Sequence, residues 1–332
     1  MNNKNFPLVT IIIPVLNERK YIKNFLKDIL NQDYPKDNIE IFIIDGGSKD
    51  GTIDILNKFL LQNQSLRAVL LIEPDKNVAS AVNIGAKKAN GKIIMKMDAH
   101  TEYAPDYILK CVEYLRREDI DCVGGPMRPI GDNYISTTIS LSYRTSFGTG
   151  GGKFHNINYQ GYADTVYLGA YKKNTFEKLG GWDEKIMDTD DDDFNYRLRK
   201  AGGKIFLTPE IKSHYHVRGS LKKLWDQYFR YGYSQVSFIK KHRAFISPLN
   251  FIPSLFVLGV AISFLLSFFY NFFGTTLFLV LISYFVFSFL ISLKLSFRNG
   301  FKYFLLLPLT FLILHLSYGV GFLKGTIKWL MK

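Results

Sequence analysis

Two places in this 332-residue sequence bring together side chains able to do chemistry. The first is "KIIMKMDAH", residues 92–100, where an apolar run ends on Asp98 and His100. Side chains at i and i+2 of an extended chain share a face, so a carboxylate and an imidazole at this spacing can reach one cation. The same stretch also suits a solvated turn in which Asp98 caps the next element and His100 is incidental. The second place is "TDDDDFNYRLRKAGGKI", residues 189–205, where Asp190, Asp191, Asp192 and Asp193 open an amphipathic helix. Acids in a first turn are favourable against the helix dipole, which accounts for some of the four but leaves room for a catalytic carboxylate.

The elements that must position these groups are legible upstream. "LVTIIIPVL", "IEIFIID", "LRAVLLIE" and "KIIMKMD" are strand-like, and "ERKYIKNFLKDILNQ", "GTIDILNKFLLQN" and "VASAVNIGAKKAN" have helical spacing. Strands alternating with helices predict an α/β fold, a mostly parallel sheet with helices on both faces. In such sheets ligands bind beyond the carboxyl ends of the strands. That rule selects Asn17, Asp45 and Asp98, each the first polar group after an apolar run. Around Asp45, "DGGSKDGT" offers two glycines for a tight turn and Asp50 to Thr52 to cap the next helix. The phosphate-loop and dinucleotide patterns are both absent, so the nucleotide crevice is of another kind. "GTGGGKFH", residues 148–155, reads equally as a closing loop or a surface loop, and "GYADTVYLGAYKK" is left without assigned chemistry.

The net charge of +13 lies wholly at one end: the first 211 residues are neutral, and the excess begins at Lys212. That distribution disfavours a nucleic-acid binder and suits basic flanks of membrane segments. From Ala244 to Leu293 the chain has 50 residues without a charged side chain, divided at Asn271 and Gly274, enough for two spans. A third uncharged run, Tyr303 to Leu323, contains Pro308 and His315, and with Lys324, Lys328 and Lys332 beyond it is expected to span reluctantly or lie re-entrant. The hairpin between the first two is expected to place Phe273 outside. Residues 220–243 carry Leu221, Leu224, Trp225, Tyr228 and Gly232 at helical spacing among cations, the pattern of a helix in the membrane interface. The chain therefore divides into three parts, residues 1–219, 220–243 and 244–332. "VTIIIPVL" is too short for a signal peptide, and with two cysteines, Cys111 and Cys122, a reduced cytosolic catalytic domain is expected.

"VTIIIPVLNERKYI", "IIDGGSKDGT", "NVASAVNIGAKKANGKIIMKMDAH" and "GGWDEKIMDTDDDDFNYRLRKAGGKI" occur in that order between Val9 and Ile205. In this the chain resembles family 2 glycosyltransferases, which have the GT-A fold and use nucleotide-diphosphate sugars. The "DAH" ending and C-terminal apolar region look most like the membrane-associated enzymes of bacterial exopolysaccharide assembly, the succinoglycan glucosyltransferase type. The resemblance implies that Asp45 accepts from a uracil N3–H and that Pro14 to Glu18, including Asn17, line the nucleotide with Asn83. It implies that Asp98 and His100 hold Mg²⁺ or Mn²⁺ on the donor diphosphate. His100 stands where the family has a second acid, which removes one negative charge and favours Mn²⁺. In the family register Asp190 precedes the general base and Asp191 is the base, while Asp192 and Asp193 are left as capping or solvated residues. "QYFRY" resembles the Gln-x-x-Arg-Trp element of membrane-bound members, which makes Gln227 and Arg230 candidates for the diphosphate and acceptor end.

The function this implies is inverting transfer from a nucleotide sugar, a UDP-sugar in the first instance, to a polyprenyl-diphosphate-linked or other lipid-linked acceptor. The expected setting is the cytoplasmic face of the inner (plasma) membrane, with membrane lipids as partners and no nucleic acid. A processive polysaccharide synthase would need more spans, and a non-catalytic nucleotide-sugar sensor would lack carboxylates at positions 98 and 191.

Overall fold

The computed structural model of the chain describes residues 6–186, 188–244 and 248–331. Among them the strands are β1 (Val9–Val15), β2 (Ile39–Asp45), β3 (Arg67–Ile72), β4 (Ile93–Lys96), β5 (Thr101–Tyr103), β6 (Cys122–Gly125), β7 (Pro129–Ile130), β8 (Gly161–Tyr162), β9 (Tyr167–Lys172), β10 (Ile205–Leu207) and β11 (Ser213–His216). The helices are α1 (Ile22–Leu30), α2 (Thr52–Gln62), α3 (Val78–Lys88), α4 (Tyr107–Leu115), α5 (Tyr134–Tyr143), α6 (Ser146–Thr149), α7 (Lys173–Lys178), α8 (Asp190–Lys200), α9 (Leu221–His242), α10 (Ile252–Ser267), α11 (Asn271–Asn299) and α12 (Leu306–Leu330).

The chain forms two compact units. One comprises the chain up to Arg128 together with Lys153–Tyr215, and the other Pro129–Gly152 with everything from His216 onward. Residues 129–152 thus group with the C-terminal helices, where the sequence carried the first part unbroken to residue 219.

The first unit is built on an eight-stranded sheet in the order β3-β2-β1-β4-β9-β6-β10-β8. β1, β2, β3 and β4 run parallel, as the alternating strand and helix signals require. β9 enters antiparallel between β4 and β6, making the sheet mixed. Side chains alternate across it: Ile11, Ile13, Ile41, Ile43 and Met95 enter one buried cluster and Ile12, Phe42, Ile44 and Ile94 the other. This is the period of two that an extended chain imposes, and the near-absence of polar positions reflects helices on both faces.

At the amino ends of the strands Glu40 accepts from the Thr10 hydroxyl, from Asn90 N at 2.5 Å, from Asn90 Nδ2 at 3.1 Å and from Gly91 N at 2.9 Å. Burial alone would raise its pKa, but these donors hold it below the usual carboxylate value. It ties β1, β2 and the entry to β4 together, at the opposite edge from the site.

In the second unit α12 packs against α9, α10, α5 and α6, and α10 against α11. A Cβ at Gly232 would lie 2.0 Å from the Tyr318 carbonyl oxygen, and one at Gly321 would lie 2.1 Å from that of Phe229. Only glycine permits this approach of α9 to α12. The stripe expected to meet lipid is therefore partly covered by protein: Leu224 and Gly232 are buried and Trp225 stays exposed.

Three helices among the described residues, Leu249–Ser267, Asn271–Asn299 and Leu306–Leu330, are long and apolar enough to cross a membrane. The turn between the first two falls at residues 268–270, so Phe273 and Gly274 lie inside α11. α12 is unbroken, and its 25 residues at 1.5 Å each extend about 37 Å, long enough to cross a bilayer. Pro308 sits in its first turn, where a missing N–H costs nothing. His315 bonds through Nδ1 to Tyr284 Oη at 2.9 Å and through Nε2 to the Phe147 carbonyl at 2.7 Å, so the imidazole that weakens the span in sequence is paired on both nitrogens. Lys332 lies outside the described residues.

Candidate active site

The carboxyl ends of β1, β2 and β4 carry the predicted residues. Asn17, just past β1, takes a left-handed backbone with φ of 56°. Its N–H donates to Ser48 Oγ at 2.8 Å and its Oδ1 accepts from Lys49 N at 2.9 Å, knitting the β1 exit to the turn after β2. Glu18 N donates to Thr52 Oγ1 at 3.0 Å and Arg19 N to Asp50 Oδ2 at 3.0 Å, which completes that seam. Pro14 lies opposite Ile44 in the ladder, beyond Ile12, the last β1 residue paired with β4.

Asp45 ends β2 and is fully buried. Its Oδ1 accepts from Gly47 N at 2.8 Å and Ser48 N at 2.7 Å, and its Oδ2 from Ser48 Oγ at 2.7 Å. A carboxylate has about four acceptor sites, so the turn takes most of them and leaves about one for a ligand donor. Gly47, at φ of 91°, is what lets the chain fold back onto the carboxylate.

Beyond β4, His100 Nδ1 hydrogen-bonds Glu18 Oε1 at 2.9 Å. Asp98 is ion-paired through Oδ1 to Lys96 Nζ at 2.7 Å. Sequence motifs do not single out Lys96, yet it shares the face of Asp98 two residues away. The ammonium is 5.9 Å from the Trp182 ring centroid. Burial would lower the Lys96 pKa, but Asp98, Asp191 and Asp190 raise it and keep the group charged.

The start of α8 supplies the other carboxylates. Burial raises Asp190 to about 7, with the charge of Asp191 adding to the rise and Lys96 opposing it. Asp191 is also raised by burial, opposed chiefly by Lys96. Asp192 is raised by burial to about 8, with Asp191 contributing. Carboxyls brought toward neutrality in this way are suited to exchange protons near pH 7.

Asp193 departs from expectation. Rather than capping or meeting solvent it is wholly buried and accepts from Arg197 Nε at 2.8 Å. Arg197 also donates to the Leu179 and Gly181 carbonyls at 2.6 and 2.7 Å, so the pair clamps α8 to the loop bearing Trp182. Asn83, expected to line the nucleotide, is committed to the same loop. Its Nδ2 donates to the Trp182 carbonyl and to Glu184 Oε1, and its Oδ1 accepts from Trp182 N. In that loop and the turn before α8, Trp182 Nε1 and Thr189 Oγ1 are buried and have no hydrogen-bond partner among the described residues.

Gln227 and Arg230 belong to the second unit. Gln227 is buried and donates to Tyr231 Oη at 2.8 Å, and Arg230 is exposed. Among the described residues no three His, Cys, Asp or Glu side chains gather closely enough to cage a cation by themselves.

Residues 10–180 match the family model for glycosyl transferase family 2. The chain belongs to that family. A relative in Methanococcus voltae is named dolichyl N-acetyl-alpha-D-glucosaminyl phosphate 3-beta-D-2,3-diacetamido-2,3-dideoxy-beta-D-glucuronosyltransferase; it is 29% identical over 96% of this chain and 97% of its own. The succinoglycan biosynthesis protein ExoA of Rhizobium meliloti is 29% identical over 73% of each chain. Among solved structures, the mannosyltransferase PcManGT of Pyrobaculum calidifontis, in complex with GDP-Man and Mn²⁺, superposes with a TM-score of 0.64 at 20% identity, covering 98% of this chain and 88% of that one. The family 2 chain is thus a glycosyltransferase with the GT-A fold, and its mixed, mostly parallel sheet is that fold's.

The residues of this glycosyltransferase that sequence patterns do not announce have a common character. Trp182, Asp193 and Arg197 act through partners distant in sequence or one helix turn away, and Lys96 through Asp98, two residues on. The one signal among them is the place of Lys96, the last residue of β4 and two positions before Asp98.

Proposed function

We propose that the chain is an inverting glycosyltransferase that moves one sugar from a nucleotide-diphosphate sugar, a UDP-sugar in our reading, to a lipid-linked acceptor in cell-surface glycan or exopolysaccharide synthesis. The observation that carries this is the gathering, at one sheet edge, of the Asn17 and Asp45 turns with Asp98 and the α8 carboxylates. The Methanococcus relative's name, that of a transferase whose acceptor is a dolichyl phosphate-linked sugar, supports the acceptor class because the likeness runs along nearly the whole chain. The neighbour with GDP-Man and Mn²⁺ supports the donor class.

Asp98 and His100 fit a divalent cation. A metal-bound histidine usually has its other ring nitrogen on a carboxylate, and Glu18 holds His100 Nδ1 in this way. A carboxylate and an imidazole are too few to cage a cation alone, consistent with a metal that shares its ligands with the donor diphosphate and water. Bound there, Mg²⁺ or Mn²⁺ would neutralise charge on the leaving nucleoside diphosphate.

The remaining roles belong to the chain. The seam between Asn17 and the turn of residues 45–52 forms the nucleotide floor, flanked by Pro14 and Glu18, with the residual acceptor of Asp45 toward the base. Asp191 takes the acceptor hydroxyl proton as the bond to the anomeric carbon forms, and Asp190, at the first position of α8, sets its field. Trp182 Nε1 and Thr189 Oγ1, buried with no hydrogen-bond partner among the described residues, are polar groups that a sugar hydroxyl would satisfy. Asn83 positions the Trp182 loop. Arg230 is the basic group assigned to the acceptor end, and Gln227 the residue that fixes its helix. The apolar helices α10, α11 and α12 hold the enzyme in the inner membrane with the first unit cytoplasmic.

The test is a panel of nucleotide sugars assayed with membranes containing the protein and a polyprenyl-diphosphate sugar, with product mass as readout. The expected product gains one sugar and forms only with divalent metal. Transfer unaffected by chelators, or none from any donor, would overturn the reading.

A further inference from the structure

Lys96 is the group at the site that the transfer chemistry above does not use. Its Nζ stands 2.7 Å from Asp98 Oδ1, and the two side chains are only 16% and 17% exposed. It is the last residue of β4, so the strand fixes its Cα while the four-carbon stem lets the ammonium turn between partners near Asp98. The carboxylate it holds is the one that would take a metal. His100 follows in the turn after the strand, where the family's second acid is absent, so the Lys96 ammonium faces the one carboxylate of this motif.

A divalent cation approaching Asp98 alone must displace the ammonium or sit against it, and either is unfavourable in a partly dry site. A nucleoside diphosphate reverses the balance. Its oxygens give the ammonium a new partner at the moment the metal takes its old one. Binding of metal and of diphosphate then favour each other, beyond whatever direct contact between them contributes, and the coupling must be the same in both directions.

We propose that Lys96 is a resident counter-cation that holds the metal position of Asp98 until a diphosphate arrives, and so couples metal binding to donor binding. The inference rests on the reading of the site as one for a nucleotide-diphosphate sugar. Lys96 is on this account a positioning residue whose effect is read in equilibria and not only in turnover.

The experiment titrates Mn²⁺ into the purified full-length protein by electron paramagnetic resonance, with and without saturating UDP, correcting for the Mn²⁺–UDP complex in solution and using uridine as the control without phosphates. The wild-type protein should bind Mn²⁺ at least about tenfold more tightly with UDP and no more tightly with uridine. In Lys96→Met, Mn²⁺ should bind the nucleotide-free protein about tenfold more tightly than wild type, and the UDP effect should shrink by a similar factor. Lys96→Arg, which keeps the charge, should behave as wild type. A gain in metal affinity cannot come from misfolding. Unchanged or weaker Mn²⁺ binding in nucleotide-free Lys96→Met, or full UDP coupling retained there, would overturn the proposal while leaving the site reading intact. Wild-type protein that binds neither Mn²⁺ nor UDP would overturn both.

Discussion

Replacing Asp193 by Asn should destabilise the protein several times more than the same change at Asp192, although both lie in one run of four acids. Asp193 has no exposure, and its partner Arg197 retains about one-fifth. Breaking a fully buried ion pair costs about 3–5 kcal/mol, whereas an exposed one is worth about 0–1. With Arg197 partly open and Asn keeping one acceptor oxygen, about 2–3 kcal/mol is expected. Asp192→Asn removes a carboxylate that burial holds toward neutrality, so it should cost no more than a capping change of about 1 kcal/mol. The loss should be local at first, because Arg197 also holds the Leu179 and Gly181 carbonyls. The chain has three tryptophans, Trp182, Trp225 and Trp329. With Trp225 and Trp329 changed to Phe, denaturant unfolding followed by Trp182 emission reads the clamped loop alone. Asp193→Leu with Arg197→Met should recover part of the loss of either single change, as expected when no charge is left without its partner. Equal, small costs at Asp192 and Asp193 would refute the clamp.

The α8 carboxylates and the helix contact give further outcomes. Asp190 is raised from 3.8 to about 7, so between those values the folded chain keeps a proton that the unfolded chain has released, and ligand-free stability should fall as pH rises, by up to about 1.4 kcal/mol per unit. Asp191 and Asp192, also raised, add slopes of the same sign, so Asp190→Asn should make the fall shallower in thermal midpoints taken without metal or nucleotide at pH 5.5 and 8; parallel slopes would contradict it. Gly232→Leu should cost about 3 kcal/mol or more through forced separation of α9 from α12, whereas Gly259→Leu, with nothing within 4 Å of its Cβ, should leave the midpoint of the detergent-purified protein unchanged. Similar midpoints for the two would refute the close contact.

The sequence made the sheet's parallel half legible because β1, β2, β3 and β4 are β-branched apolar runs ending in polar groups, and those ends named Asn17, Asp45 and Asp98. The antiparallel β9 was not legible. "YLGAYK" shows no alternation because both its faces are covered, and its neighbours β4 and β6 are fixed only by tertiary pairing. Asp193 is misjudged from sequence because four identical residues carry no periodicity of their own; the helix phase, set by Phe194 and Leu198, decides which acid turns inward. Asn83 and Gln227 are assigned to a ligand by motif, but their amides are used by the Trp182 loop and by Tyr231, contacts that no spacing along the chain announces. The helix α12 is doubtful in sequence on account of His315, whose partners Tyr284 and Phe147 lie 31 and 168 residues away.

Transfer through the α8 carboxylates, with Asp191 as base, stands or falls on turnover and nucleotide affinity measured side by side for Asp190→Asn and Asp191→Asn. Asp191→Asn should bind nucleotide as wild type does and transfer about 10² to 10⁴ times more slowly, about 3–5 kcal/mol of transition-state stabilisation. Transfer within about threefold of wild type in Asp191→Asn, or the large loss falling on Asp190→Asn at unchanged affinity, would contradict it.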